Sequence, residues 1–208
     1  MKVHAAEFIG AIGSPGQPLP PLAGSLPQVA FSGRSNVGKS SLLNRLLGRT
    51  RTPLARVSRQ PGKTREVNFF RIRGDGPEFV LVDLPGYGFA RVPGPVRERW
   101  GALVESYFKS ARGLAGVVQL IDARRPPTPD DRRAVEYLAR LGAPLLFALT
   151  KVDKVKRSGR ERAVEEVAEL FGVGAGQVVP FSSLTGEGRG ELLAAVGELL
   201  EGASYPPI

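Results

Sequence analysis

Gly33-Arg34-Ser35-Asn36-Val37-Gly38-Lys39-Ser40 fills the pattern GxxxxGK[ST]. It lies between a short apolar run, Gln28-Val29-Ala30-Phe31-Ser32, and a segment in which Leu42, Leu43, Leu46 and Leu47 recur at helical spacing. The order is strand, glycine loop, helix. Backbone N–H groups of such a loop can surround a phosphate, because glycines accept positive φ and carry no Cβ to block close approach. The N-terminus of the following helix adds partial positive charge. In this cradle Lys39 would reach phosphate oxygens and the Ser40 hydroxyl would ligate Mg²⁺.

Outward from the loop the pattern is α/β. Glu66 to Arg73 and Glu78 to Asp83 read as strands, and the short link Gly74-Asp75-Gly76-Pro77 makes them an antiparallel hairpin. Leu114 to Asp122, Pro144 to Thr150 and Gln177 to Phe181 are further apolar runs, separated by helical patterns over 96–112, 130–141 and 158–171 and closed by one over 187–201. Such alternation predicts a three-layer α/β/α domain with a mostly parallel, six-stranded sheet and one antiparallel edge strand. Ligands of these sheets bind at the carboxyl ends of the strands. Residues 1–27 read as an irregular lead-in, since 10–27 hold five prolines and four glycines. The domain is expected over 28–202, with 203–208 as a tail.

Three more motifs fall at strand ends. Asp83-Leu84-Pro85-Gly86 follows Phe79-Val80-Leu81-Val82, so Asp83 could hold Mg²⁺ through a water and the Gly86 N–H could meet a γ-phosphate. Ahead of the hairpin, the polar loop containing Gly62-Lys63-Thr64-Arg65-Glu66 offers Thr64 as a second hydroxyl ligand for Mg²⁺. A loop held only by γ-phosphate and metal loosens after hydrolysis, which is the logic of a switch. Thr150-Lys151-Val152-Asp153 follows a buried-strand pattern and selects the base. The Asp153 carboxylate can accept from guanine N1–H and the 2-amino group, neither of which adenine offers there, and the Lys151 stem can lie over the purine. Phe181-Ser182-Ser183 ends the last strand, where the Ser183 region can present backbone N–H to guanine O6.

Composition narrows the chemistry. The chain has 208 residues, 42% hydrophobic and 24% charged, which suits one domain with a full core. No apolar run approaches the roughly 20 residues that cross a bilayer, and the N-terminus lacks a signal peptide's apolar core, so a cytoplasmic protein without membrane partners is expected. With no cysteine and His4 as the only histidine, disulfides, thiolate metal sites and histidine-based triads are excluded. The net charge of +9 is uneven: residues 1–125 carry 19 Lys+Arg against 8 Asp+Glu. Between Arg34 and Arg73 stand eleven bases and one acid, Glu66, and such clustering suggests a polyanionic partner. Trp100, Tyr107 and Phe108 read as core, and Arg124-Arg125 as either an RNA contact or a solvated loop.

The set GRSNVGKS, Thr64, DLPG, TKVD and SSL resembles the translation-factor-like class of GTPases. FSGRSNVGKSSLLN, RQPGKTREVNFF, VDLPGYGFA, LIDAR, LTKVDKVKRS and PFSSLTGEGRGEL resemble the EngB family, also called YsxC or YihA, of bacterial ribosome-assembly GTPases. Thr150 in place of the usual asparagine and the DLPGYG phrase are characteristic of that family. The resemblance covers Gln28 to about Leu200. It implies an Mg²⁺-dependent, monomeric enzyme that binds GTP and GDP and hydrolyses GTP, with Lys39, Thr64 and Gly86 closest to the reaction. It also implies a nucleotide switch in late assembly of the large ribosomal subunit, docking on ribosomal RNA through the Arg34–Arg73 surface and the switch regions. Normal cell division and septation depend on the family, so a switch acting on a protein effector is the alternative.

One position departs from Ras-like enzymes, which place a water-orienting glutamine directly after DxxG. Here that position is Tyr87, so slow intrinsic hydrolysis is expected, aided by a partner or a monovalent cation. Tyr87 also motivates a third reading, a nucleotide-binding module without catalysis. Asn36 corresponds to the position that helps coordinate K⁺ in related potassium-activated GTPases; the other reading of Asn36 is a hydrogen bond within the loop.

Overall fold

The structure, a computed structural model, describes residues 1–55, 66–88 and 94–202, excepting the side chains of 94–97 and 100. Seven strands form one sheet: β1 (Val3–Ile12), β2 (Gln28–Gly33), β3 (Val67–Gly74), β4 (Phe79–Asp83), β5 (Leu114–Asp122), β6 (Leu145–Thr150) and β7 (Val178–Phe181), in the order β1-β3-β4-β2-β5-β6-β7. Among the described residues six α-helices accompany them: α1 (Pro21–Ser25), α2 (Lys39–Leu46), α3 (Gly94–Ser110), α4 (Pro129–Arg140), α5 (Arg157–Phe171) and α6 (Arg189–Gly202).

Parallel pairing runs from β4 through β2, β5 and β6 to β7. The β3–β4 hairpin pairs antiparallel, with Asn68 opposite Asp83 and Ile72 opposite Phe79, as the short link between them requires. Helices cover both faces, which is why the central strands are apolar throughout rather than alternating. Val29, Phe31 and Leu81 point to one side, against Leu42, Leu46, Leu192 and Val196 of α2 and α6. Ala30, Val80 and Val82 point to the other, against Leu103 and Tyr107 of α3. Tyr107 is fully buried, and its hydroxyl donates to Gln28 Oε1 at 3.0 Å. Gln28 Nε2 in turn donates to the Ala23 carbonyl at 2.6 Å, so two buried polar groups fasten α1 beneath the sheet. The expected core role of Tyr107 holds and Phe108 packs partly buried beside it, whereas the side chain of Trp100 lies outside the described residues.

Two expectations need correction. The sheet has seven strands rather than six, and residues 3–12 are a strand, not irregular chain. β1 pairs antiparallel with β3 from Val3 opposite Gly74 to Ile12 opposite Val67. The antiparallel strand β3 is therefore one place in from the edge. The physical reason is the open hydrogen-bonding side of β3, which a neighbouring chain segment satisfies. Ala5-Ala6-Glu7-Phe8-Ile9-Gly10 shows no alternation because only Ala6 and Ile12 of β1 are buried.

Among the described residues no helix is long and apolar enough to cross a membrane.

Candidate nucleotide site

Every candidate motif among the described residues stands at the carboxyl end of a strand: Gly33 ends β2, Asp83 ends β4, Thr150 ends β6 and Phe181 ends β7. β2 has β4 on one side and β5 on the other, so its following loop opens at the crevice where the chain changes direction across the sheet. A Cβ on Gly33 would come within 2.9 Å of Val37 Cγ1 and 3.0 Å of Leu120 Cβ, so glycine is required for the loop to fold back here. Asn36 (φ 63°) and Gly38 (φ 104°) adopt left-handed backbone, while Val37 between them is buried and anchors the turn. The N–H groups of Asn36, Gly38, Lys39 and Ser40 have no acceptor among the described residues, which leaves them for an anion at the start of α2.

The DLPG segment lies alongside. Leu84 N–H donates to Phe31 O at 3.1 Å, Ser35 N–H to Tyr87 O at 2.8 Å, and Tyr87 N–H to Gly33 O at 3.3 Å. Leu84 and Pro85 are buried, and Gly86 packs on the backbone of Ser35. The Lys39 ammonium forms an ion pair with the Asp83 carboxylate, and both side chains are more than nine-tenths buried. Ser40 follows Lys39 on the helix that Asp83 contacts. One hydroxyl and one carboxylate suit Mg²⁺, which takes few protein ligands and keeps several waters. The third expected ligand, Thr64, lies outside the described residues together with Gly62, Lys63 and Arg65. Glu66, the first residue after them, is exposed.

The Thr150–Asp153 segment is tied directly to the glycine loop. Thr150 Oγ1 lies 2.8 Å from Val37 O and 3.1 Å from Ile121 O, sharing its one proton between them. Lys151, in left-handed backbone at φ 62°, donates from Nζ to Asn36 O at 2.7 Å and to Asp122 Oδ2 at 2.9 Å. Val152, fully buried, fixes the short 3-10 turn Val152–Lys154 that presents Asp153. Ser182 Oγ donates to Asp153 Oδ1 at 2.8 Å, and this bond holds the Asp153 carboxyl below its usual value. Ser182 Oγ also accepts from Leu184 N–H at 3.2 Å and Thr185 N–H at 3.1 Å, which shapes the turn after the fully buried Phe181.

Asp122, which motif reasoning passed over, joins this cluster through Lys151. Burial pushes its carboxyl up, but hydrogen bonds from Arg124 and Lys151 outweigh burial and hold it well below the usual carboxylate range. The available signal was an acid at the end of a buried strand, the same signal that singled out Asp83. Arg124 and Arg125 both pair with Asp122, at 2.8 and 3.7 Å, so neither is a free loop cation. Tyr87 turns inward: its hydroxyl donates to Asp131 Oδ1 at 2.8 Å and accepts from Gln119 Nε2 at 2.6 Å. Burial first, and Asp131 second, push the phenol far above its ordinary value. Asp131 sits in the first turn of α4 and closes a capping box with Thr128.

The basic run is partly spent inside the protein. Lys39 pairs with Asp83, Arg71 pairs with Glu78, and Arg45 donates to the Ser183 and Leu184 carbonyls, while 56, 59, 63 and 65 fall outside the described residues.

A family profile described as "50S ribosome-binding GTPase" matches residues 28–151, and one described as "Elongation factor Tu GTP binding domain" matches residues 102–202. The "Probable GTP-binding protein EngB" of Gemmatimonas aurantiaca is 45% identical over 200 residues, which are 96% of this chain and 95% of that protein. The chain belongs to the EngB family of GTP-binding proteins. A second EngB, from Thermotoga maritima, is 44% identical over 202 residues, covering 97% of this chain and 99% of its own. A crystal structure of "a probable GTP-binding protein engB" is similar with a TM-score of 0.66 at 27% identity, covering 84% of this chain and 98% of that one. As an EngB member the chain is a P-loop GTPase.

Proposed function

We propose that the cleft between the phosphate loop, Asp83 and Asp153 binds GTP and GDP with Mg²⁺, hydrolyses GTP slowly, and uses the bound state to control attachment to the large ribosomal subunit late in its assembly. The observation that carries the nucleotide reading is the joining of its two halves: Lys151 and Thr150 of the base segment bond the Asn36 and Val37 carbonyls of the phosphate loop. Base and phosphates are thereby read at fixed separation. The assigned contacts are residues 33–40 for the phosphates, Ser40, Asp83 and Thr64 for the metal, Gly86 for the γ-phosphate, and 150–153 with 181–183 for the base. Glu66 and 62–65 belong to the switch loop. Bound Mg²⁺ would neutralise phosphate charge; Lys39 adds a positive charge, and the loop N–H groups orient the phosphates.

The ribosomal partner is supported by the description of the matching family and by the basic character of the first 125 residues. Sedimentation with large-subunit particles in GDP and in a non-hydrolysable GTP analogue tests it: comigration in one state alone is expected, and none in either state overturns it. The internal use of Lys39, Arg45 and Arg71 leaves fewer free cations for RNA and favours, as a second reading, a protein effector in cell division. Particle association that survives high salt supports that reading, since contacts to phosphates weaken steeply with ionic strength.

A further inference from the structure

The turn after β7 has one spare donor. Ser182 N–H donates to Glu187 O at 3.0 Å and Gly186 N–H to Ser182 O at 2.9 Å, while Leu184 and Thr185 N–H groups both reach Ser182 Oγ. Between Ser182 and Glu187 only the Ser183 N–H has no acceptor among the described residues. It shares a peptide plane with the Ser182 carbonyl, and the next plane, joined through the Ser183 dihedrals, carries the Ser183 carbonyl. The Ser182 carbonyl is held within the turn by Gly186. The Ser183 carbonyl is held from outside, by Arg45, whose Nε donates to it at 2.7 Å while Nη2 donates to Leu184 O at 2.6 Å.

Arg45 stands in the last turn of α2, the helix whose first turn carries Lys39 and Ser40. No carboxylate pairs with it among the described residues. Its own end of α2 is fastened by Arg189, the first residue of α6, which donates from Nε to Arg45 O and from Nη2 to Leu46 O, both at 3.0 Å. Arg45 O also accepts from Gly48 N–H at 3.2 Å, whereas Leu46 O is one of the carbonyls that a helix end leaves free. Leu184 at the tip is 68% exposed, so apolar packing does not hold the turn in place. A planar guanidinium bonded to two successive carbonyls does, because its donors are fixed in one plane.

We propose that Arg45 is a positioning residue for guanine specificity, holding the Ser183–Leu184 peptide and through it the adjoining peptide whose Ser183 N–H is aimed at guanine O6. This rests on the guanine reading of the cleft. It links the helix that holds the phosphates to the turn that reads the base.

The test is calorimetric binding of GDP and 6-thioguanosine diphosphate to the full chain and to Arg45→Ala and Arg45→Lys. The sulfur analogue keeps the N1–H and 2-amino groups that Asp153 would read and replaces O6 with a poor acceptor. The unsubstituted protein should prefer GDP by about tenfold, the worth of one hydrogen bond in a desolvated site. Arg45→Ala should bring that preference to within about twofold, leaving affinity for the analogue nearly unchanged. Arg45→Lys, with one donor retained, should fall between, and it decides the matter alone if Arg45→Ala does not fold. A preference that stays tenfold in the variants overturns the inference, as does an equal loss of affinity for both nucleotides. An unsubstituted protein that binds ADP as well as GDP overturns the guanine reading itself.

Discussion

The ammonium of Lys39 and the carboxylate of Asp83 are paired inside the cleft, with only 8% and 4% of their side chains exposed. Each charge compensates the other where water does not reach, so removing one strands its partner. Lys39→Ala should destabilise the nucleotide-free protein by about 3 to 5 kcal/mol. It should also weaken GDP binding by about 1.5 to 3 kcal/mol through a lost charge-assisted contact. The double variant Lys39→Met with Asp83→Leu should regain stability without regaining affinity. Urea unfolding and calorimetry read the two effects separately, and an unchanged unfolding midpoint in Lys39→Ala would show that the pair does not form in solution.

Asp153→Asn should exchange guanine for xanthine preference, since an amide can donate where the carboxylate only accepts. Competition between GDP and XDP measures it. Retained GDP preference would mean that the base is read elsewhere.

The acid limb of stability has a definite sign. Asp153, through Ser182, and Asp122, through Arg124 and Lys151 acting against burial, both have folded-state values below their unfolded ones. Their contribution is therefore complete above the unfolded value and is lost as pH falls from there through the lower folded values. Asp122→Asn should be less stable than the parent at pH 7, and the gap between the two curves should narrow as pH falls below the usual carboxylate range. Parallel curves across that window would show that Asp122 carries no such linkage.

Tyr87→Phe removes a hydroxyl bonded on both sides, leaving Gln119 Nε2 and Asp131 Oδ1 each short of a partner. A loss of about 1 to 3 kcal/mol in stability is expected. Single-turnover GTP hydrolysis should change by no more than about threefold, because a phenol held against α4 has no free proton for an attacking water. A hundredfold fall would place the hydroxyl in the reaction after all.

Asn36 is exposed, and its side-chain amide bonds nothing among the described residues; Lys151 takes only its backbone carbonyl. The loop hydrogen bond that is the other reading of Asn36 is not formed among the described residues. We therefore expect K⁺ to speed hydrolysis severalfold over Na⁺ in matched chloride buffers and the difference to vanish in Asn36→Ala. Equal turnover in both salts would remove K⁺ from the site.

The alternation of strands and helices was legible because a parallel strand buried on both faces must be an apolar run, and Leu114 to Asp122 and Leu145 to Thr150 are such runs. The phosphate loop was legible because its glycines answer local demands, the crowding of Gly33 and the positive φ of Gly38. β1 was not legible. Phe8 faces Phe70, and its strand exists to cover the edge of β3, a need invisible within residues 1–27. Asp122 and Arg45 also escaped notice, since an acid beside arginines and an arginine on a helix have ordinary solvated explanations until their partners are known.

What the chain's own order decided is local: which glycines turn, which runs extend, and that Gly33–Ser40, Asp83–Gly86, Thr150–Asp153 and Phe181–Ser183 each end a strand. Dihedral limits and apolar burial act over a few residues, so these features are written in adjacent letters. The tertiary structure alone decided how the pieces grip one another. Lys151 reaches Asn36 across 115 residues of sequence and Arg45 reaches Ser183 across 138, contacts set by strand order and helix placement. Hydrogen bonds at that separation depend on where the sheet brings the ends together, and no spacing in the sequence encodes it.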